Sequence, residues 1–101
     1  MEVQQAEYVS STRETTLKAG HLFAAEIAAV HGYSLNDLRD HDRRPERVKA
    51  RWAIFWALRS DPYRWSLPRI GKLMDRDHTT VMYGIDRVAR ERLAMTVANQ
   101  P

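Results

Sequence analysis

The chain of 101 residues has no cysteine, so no disulfide can support its fold. It also has no apolar run long enough to cross a membrane and no N-terminal signal peptide. We therefore expect a protein of a reducing compartment, the cytoplasm. No strand pattern, internal repeat or low-complexity tract is present, which predicts an all-α fold. The length indicates one domain with a modest core.

Signatures of catalysis and of metal binding are absent as well. The four histidines have no cysteine partner, and no two of them have close helical spacing. There is no glycine-rich phosphate loop, and no Ser or Cys nucleophile accompanies the adjacent Asp40, His41 and Asp42. We therefore expect neither enzyme activity nor a cofactor, a metal ion or a small-molecule substrate.

The charge that the chain does carry is unevenly distributed. Between Arg39 and Lys72, ten Lys or Arg residues oppose four Asp or Glu residues, although the net charge of the whole chain is only +3. Residues 1–38 have two basic against five acidic residues, and the segment after Lys72 is neutral. A basic segment beside an acidic one is typical of a surface that faces a polyanion. A solvated surface without a partner is the alternative.

The start of the chain predicts an arm followed by one helix. Residues 1–13 are polar with weak periodicity, which favours a flexible arm. The first helix is expected from about residue 14 to residue 31, and Gly32 provides its C-terminal stop. Its predicted inward-facing side chains are Leu17, Leu22, Phe23, Ile27 and Val30.

Two further helices are predicted on either side of a charged loop. Ser34 and Asp37 have the spacing of a capping box, which predicts a short helix. After the loop, a third helix is expected from Pro45 or Glu46 to about Arg59, with a centre that is apolar nearly all round and therefore buried. Its aromatic residues are expected in the core rather than in a stacking platform for single-stranded nucleic acid: Trp52, Phe55 and Trp56.

Residues 66–90 have the pattern of a helix-turn-helix. Ser66 is a suitable N-cap with Pro68 in the first turn, and this helix should end near Asp75. Asp77 is expected to cap the second helix. The predicted inner face of the second helix is Val81, Met82, Ile85, Val88 and Ala89. Its predicted solvent face is His78, Thr79, Thr80, Tyr83, Arg87 and Arg90. A short helix, a tight turn and a second helix with a polar N-terminus form this motif.

The same residues resemble a known family. Ser66-Leu67-Pro68-x-Ile70-Gly71, followed by Arg76-Asp77-His78-Thr79-Thr80-Val81, is similar to the signature of the C-terminal DNA-binding domain of DnaA, the bacterial replication initiator. The resemblance covers about residues 20–90, with a slightly shorter turn and without the ATPase domain. It implies an all-α fold with a DnaA-like, Trp-repressor-like helix-turn-helix. The expected division is an arm at 1–13, the DNA-binding domain at 14–93 and a flexible tail at 94–101.

The resemblance also implies roles for individual side chains. Bases are contacted in the major groove by Asp77, His78 and Thr79, and in the minor groove by an arginine of the basic loop. Register favours Arg43 for that contact, and Arg44 is the alternative. The expected contacts with the DNA backbone or groove edge are Arg44, Arg51, Arg59, Leu67, Pro68, Arg76, Thr80 and Tyr83. From the residues alone, Asp77 could be only an N-cap, and Arg51 could be only a salt-bridge partner.

The predicted function is sequence-specific binding of double-stranded DNA in a transcriptional regulator at the nucleoid. Similar domains occur in phage-derived activators, including those of gene transfer agents, so RNA polymerase or a sigma-like protein is an expected partner. One alternative is a competitor for DnaA boxes that restrains replication initiation. Another is a protein-interaction adaptor without DNA binding, against which the intact run from Arg76 to Thr80 argues.

Overall fold

The computed structural model describes residues 17–99, which contain five α-helices and no strand. In chain order these are α1 at 17–30, α2 at Leu35–Leu38, α3 at Pro45–Arg59, α4 at Leu67–Met74 and α5 at His78–Ala98. The predicted all-α fold is confirmed, and the predicted arm at 1–13 lies outside the described residues. Among residues 17–99, no helix combines the length and the apolarity that a membrane span requires.

Helix α3 lies at the centre of the fold and contacts α2, α4 and α5. Its fully buried apolar residues are Ala50, Ile54, Phe55 and Leu58. Trp52 is half-buried and packs against this core, and Trp56 is half-buried beneath the guanidinium of Arg92, 5.0 Å from the ring centroid. The prediction that α3 is the buried helix is confirmed, although the two tryptophans each keep an exposed part.

Helix α1 packs through small side chains rather than through all of the predicted large ones. Its buried residues are Gly20, Ala24 and Ala28. Leu17, Phe23 and Ile27 are half-buried. The prediction is wrong for Leu22 and Val30, which are 64% and 85% exposed. Gly20 lies against the ring of Trp65, where an added Cβ would come within 2.6 Å of a ring atom. This close approach turns the small residues toward the core and the two larger ones toward solvent.

The predicted end of α1 and start of α2 are both confirmed. Gly32 has a φ of 86°, and the backbone N–H of the next residue, Tyr33, donates to the carbonyl of Ala28 at 2.9 Å. The Ser34 hydroxyl accepts from the Asp37 N–H at 3.0 Å, and the Asp37 carboxylate accepts from the Ser34 N–H at 2.9 Å. The backbone bond from Ser34 holds the pKa of Asp37 below its usual value.

Helix α5 differs from its prediction in one inner residue and in its end. Val81 and Gly84 are buried, whereas Met82 is 52% exposed and its predicted burial is wrong. An added Cβ at Gly84 would lie 2.4 Å from the ring of Trp52, so α5 approaches α3 most closely at this glycine. A glycine does not contribute to the apolar pattern, and the pattern therefore did not predict this contact. The expected end near residue 93 is also wrong, because α5 continues to Ala98.

Candidate nucleic-acid interface

Helix α4, the turn 75–77 and helix α5 form the predicted helix-turn-helix. The Ser66 hydroxyl accepts from the Arg69 N–H at 3.3 Å, which caps α4. Asp75 then adopts the left-handed conformation with a φ of 53°, and the Arg76 N–H donates to the Gly71 carbonyl at 2.8 Å. An aspartate tolerates this conformation better than most side chains do. The chain can therefore reverse without the usual glycine at the end of α4.

Gly71 is required by the close approach of the turn to α4. An added Cβ at this position would lie 2.3 Å from the carbonyl oxygen of Arg76 and 3.7 Å from the carbonyl carbon of Asp77. Glycine inside a helix costs about 1 kcal/mol relative to alanine. The close contact explains why that cost is tolerated, and the neighbour is the backbone of the turn itself.

The N-terminus of α5 carries the three residues predicted to contact bases, and all three are exposed. Asp77 is the N-cap, and its Oδ1 accepts from the Thr79 N–H at 2.9 Å and from the Thr79 hydroxyl at 3.1 Å. The Nδ1 of His78 lies 3.1 Å from the same oxygen. The backbone bond from Thr79 holds the pKa of Asp77 below its usual value, so the carboxylate is ionised at neutral pH. Within residues 17–99 these contacts all reach Oδ1, which leaves Oδ2 available to another donor.

The loop 39–44 separates the two candidate minor-groove arginines by their contacts. Arg44 is the N-cap residue of α3, and its Nε donates to Asp42 Oδ2 at 2.9 Å. Arg43 is exposed, and its side chain makes no hydrogen bond or ion pair with any residue from 17 to 99. This arrangement favours Arg43 over Arg44 for a contact outside the protein, as the register of the motif suggested.

A cleft of about 520 Å³ lies between the loop 39–44, helix α3 and the start of α5. Side chains that line it from the loop and the turn are His41, Arg43, Asp75 and Asp77. From α5, Thr80 and Tyr83 complete the wall, and the Tyr83 ring meets the edge of the Trp52 ring at a centroid distance of 6.0 Å. The predicted minor-groove arginine and the predicted major-groove helix tip therefore border one cleft.

Arg51, expected at the DNA backbone, is used inside the protein. Its side chain is buried, and its Nε donates to the carbonyl of Leu38 at 2.7 Å. One terminal nitrogen donates to the carbonyl of Asp42 at 2.6 Å, and the other donates to the Asp40 carbonyl at 3.0 Å and carboxylate at 2.9 Å. Burial, followed by the charge of Arg76, lowers the pKa of Arg51. The salt-bridge alternative accounts for Arg51, which corrects the expected contact with DNA.

Arg76 is also turned toward the protein. Its Nη1 donates to the carbonyls of Arg39 at 3.2 Å, Met74 at 3.0 Å and Asp75 at 3.0 Å. Its Nη2 donates to the carbonyl of Asp40. The side chain is half-buried. Four backbone carbonyls therefore surround a guanidinium that was expected to face phosphate, and its contact with phosphate stays a prediction.

The other expected contacts with the DNA backbone are at the surface. Arg59 is exposed at the end of α3, and its Nη1 donates to the carbonyl of Trp65 at 3.1 Å, close to the start of α4. At the start of α4, Pro68 is exposed and Leu67 is half-buried against the core. Thr80 is exposed, and Tyr83 is 58% exposed. Their roles on DNA stay predictions.

The structure adds a feature of the loop that the motif did not indicate. The Asp40 carboxylate accepts from the Asp42 N–H at 3.0 Å, and the Asp42 carboxylate accepts from the Arg44 N–H at 2.9 Å. These are two successive Asx turns, and the spacing of the aspartates before a proline could have revealed them. The bond from Arg44 holds the pKa of Asp42 below its usual value. No cluster of three potential metal ligands occurs among residues 17–99.

The arrangement of α4, the turn and α5 defines a helix-turn-helix protein. The family model described as the bacterial DnaA protein helix-turn-helix matches residues 24–88, which is more than half of the chain. The chain belongs to this family.

Two similar proteins are both described as the chromosomal replication initiator protein DnaA. The one from Roseiflexus castenholzii is 40% identical over 67 residues, which is 65% of this chain and 14% of the relative. The one from a Picosynechococcus species is 42% identical over 67 residues, which is 64% of this chain and 15% of the relative. The similarity therefore covers a small part of each initiator. No solved structure gave a significant match.

Proposed function

We propose that this protein binds double-stranded DNA at a specific sequence, with the N-terminus of α5 in the major groove and Arg43 in the adjacent minor groove. The observation that carries the proposal is the common cleft, because exposed Arg43 and the exposed cap residue Asp77 both line it. An α-helix fits the major groove, and its N-terminal residues are the ones that reach base edges.

The contacts at the helix tip suggest which base atoms each side chain meets. Ionised Asp77 is repelled by phosphate, so its Oδ2 suits the amino group of cytosine. The Thr79 hydroxyl donates to Asp77, so its oxygen serves as an acceptor and its methyl group can meet the methyl group of thymine. Arg43 suits the narrow, electronegative minor groove of A·T-rich sequence.

We propose that DNA binding by this protein regulates transcription, with RNA polymerase or a sigma-like protein as the partner. A second candidate is competition with an initiator for its boxes. The observation that favours it is the 40–42% identity to replication initiators across the helix-turn-helix region. Sequencing of the DNA fragments that the protein binds in its host separates the two. Sites at promoters support regulation, and sites clustered at the replication origin support competition.

The dependence of binding on salt tests the assignment of the basic surface. Each neutralised phosphate contributes about −0.9 to the slope of log K against log salt. We expect a steep loss of affinity between low and physiological salt, measured by fluorescence anisotropy on a labelled duplex. Arg59→Ala should weaken binding to all sequences and reduce the slope by about one unit.

Lys18→Ala is the matched control, because it removes the same charge from the exposed surface of α1. It should leave both the affinity and the slope unchanged. Equal effects of the two variants, or an affinity that hardly depends on salt, would contradict the proposed binding surface.

A further inference from the structure

The loop 39–44 has no helix or strand of its own, and arginines from helix α3 and from the turn 75–77 hold it in place. From α3, Arg51 donates to backbone carbonyls on both sides of His41, those of Asp40 and Asp42. Arg47, also from α3, donates to the Asp40 carboxylate at 2.9 Å. These contacts fix the loop against the central helix.

Arg76 contacts the same loop from the turn 75–77. One part of its contact set is in the loop, at the carbonyls of Arg39 and Asp40. The other part is at the end of α4 and the start of the turn, at the carbonyls of Met74 and Asp75. A single guanidinium therefore joins the segment that carries Arg43 to the segment that precedes the tip of α5.

We infer that Arg76 is a positioning residue, whose guanidinium fixes the loop 39–44 against the turn 75–77 so that Arg43 and the α5 tip enter adjacent grooves together. This inference rests on the proposed function, which supplies the role of Arg43. The competing role is the one that the family motif suggested, a direct contact between Arg76 and phosphate.

Arg76→Lys distinguishes the two roles because it keeps the positive charge. A lysine is a compact point charge and can still contact a phosphate. It lacks the planar fork of donors that lets arginine bond carbonyls on two separate segments at once. If Arg76 contacts phosphate, the variant should bind DNA almost as wild type does. If Arg76 positions the loop, the variant should behave as though Arg43 were misplaced.

The first measurement uses the free protein and needs no DNA. The amides of Asp42 and Arg44 donate to carboxylates within the loop, so their hydrogen exchange reports its order. In Arg76→Lys they should exchange about tenfold faster, the factor expected for the loss of one charged hydrogen bond. The amide of Trp65, bonded to the Leu58 carbonyl in the core, should not change. Arg90→Lys is the control, since Arg90 is an exposed arginine of α5.

The second measurement is a double-mutant cycle on a preferred duplex. Arg43→Ala should reduce affinity about tenfold in the wild-type background and less than about threefold in the Arg76→Lys background. The effect is smaller in the second background because Arg76→Lys has already displaced Arg43. An equal cost of Arg43→Ala in both backgrounds, with unchanged loop exchange, would overturn the inference. If Arg76→Lys lowers the melting temperature strongly, the cycle is repeated with Arg76→Gln. Because glutamine also removes the charge, only the coupling between the two substitutions is then compared.

The two measurements separate this inference from the proposed function. A wild-type protein without preference for any duplex would contradict the proposed function, and the exchange rates would still decide whether Arg76 fixes the loop. Specific binding with unchanged exchange in Arg76→Lys would leave the proposed function intact and remove the positioning role.

Discussion

The loop 39–44 and the turn 75–77 border the same cleft, but different interactions hold them. The turn is held by its own neighbours, through the backbone bond from Arg76 to Gly71 and the cap that Asp77 provides for Thr79. The loop is held mainly by side chains that come from elsewhere, and its contact with Arg76 joins residues 36 and 37 positions apart. The turn therefore depends on backbone fit, and the loop depends on long cationic side chains.

The largest effect should come from a methyl group placed in the turn. Gly71→Ala gains about 1 kcal/mol in helix propensity. Its Cβ would meet the Arg76 carbonyl oxygen at 2.3 Å, and a backbone atom cannot move aside as a flexible side chain can. We expect a net loss of about 3 kcal/mol in the free energy of unfolding, at the upper end of overpacking effects. Denaturant titration followed by circular dichroism measures it.

Gly32→Ala is the control for the Gly71 variant. An added Cβ there has no atom within 4 Å, but the φ of 86° disfavours an alanine. The cost should be only about 1 kcal/mol. If the two variants have the same free energy of unfolding, the close contact between Gly71 and the turn does not account for the loss of stability.

The next effect should come from the side chains that hold the loop. Arg51→Met keeps an apolar stem but leaves the carbonyls of Leu38 and Asp42 without their donor and removes one of two donors to the Asp40 carbonyl. Hydrogen bonds from a charged group contribute more than neutral ones, and we expect a loss of about 2 kcal/mol in the free energy of unfolding. Differential scanning calorimetry provides the measurement.

Arg59→Met is its control, because exposed Arg59 donates to a single carbonyl in the described residues. Its loss should be less than about 1 kcal/mol. A stability for Arg51→Met that equals that of the control would show that the loop does not need its arginines.

The smallest effect concerns acid, and it affects both regions. Asp42 in the loop and Asp77 at the turn have pKa values below the usual one, each chiefly because its carboxylate accepts a backbone N–H. A lowered pKa contributes stability that is complete above the usual value of about 3.9 and is lost as the pH falls through the folded value. These groups should therefore leave stability unchanged between pH 8 and pH 5.

Below about pH 4, protonation of the Asp42 and Asp77 carboxylates should lower the melting temperature. In Asp42→Asn, the part of this acid dependence that comes from the loop should disappear. An Asp42→Asn protein with the full acid dependence of the wild type would contradict the assigned role of this carboxylate.

The difference between the two regions also explains how much of the structure could be predicted from the sequence. The cap by Ser34, the stop at Gly32 and the cap by Asp77 depend on residues a few positions apart, so local patterns predicted them correctly. The direction of the Arg76 side chain depends on carbonyls far away in the chain. A local pattern could not distinguish that use of an arginine from a contact with phosphate.

Errors in the predicted core have a related cause. The pattern of large apolar residues placed Leu22 and Met82 inside, whereas the tightest contacts are those of Gly20 with Trp65 and of Gly84 with Trp52. Glycine adds nothing to hydrophobic periodicity, so a helix face built on it is not apparent in the sequence. For the candidate site, the positions of Arg43 and the α5 tip agree with the motif, and their contacts with DNA stay predictions.

The most direct test of the account is selection of bound sequences from a random duplex library, with wild type, Asp77→Asn and His78→Ala. Asparagine is a good N-cap and His78 faces outward, so both variants should melt near the wild-type temperature. Each should lose discrimination at one base pair, by about 10- to 100-fold for Asp77→Asn, while Met82→Ala on the same helix keeps the wild-type motif. An unchanged motif for Asp77→Asn and His78→Ala would contradict the claim that the tip of α5 contacts bases.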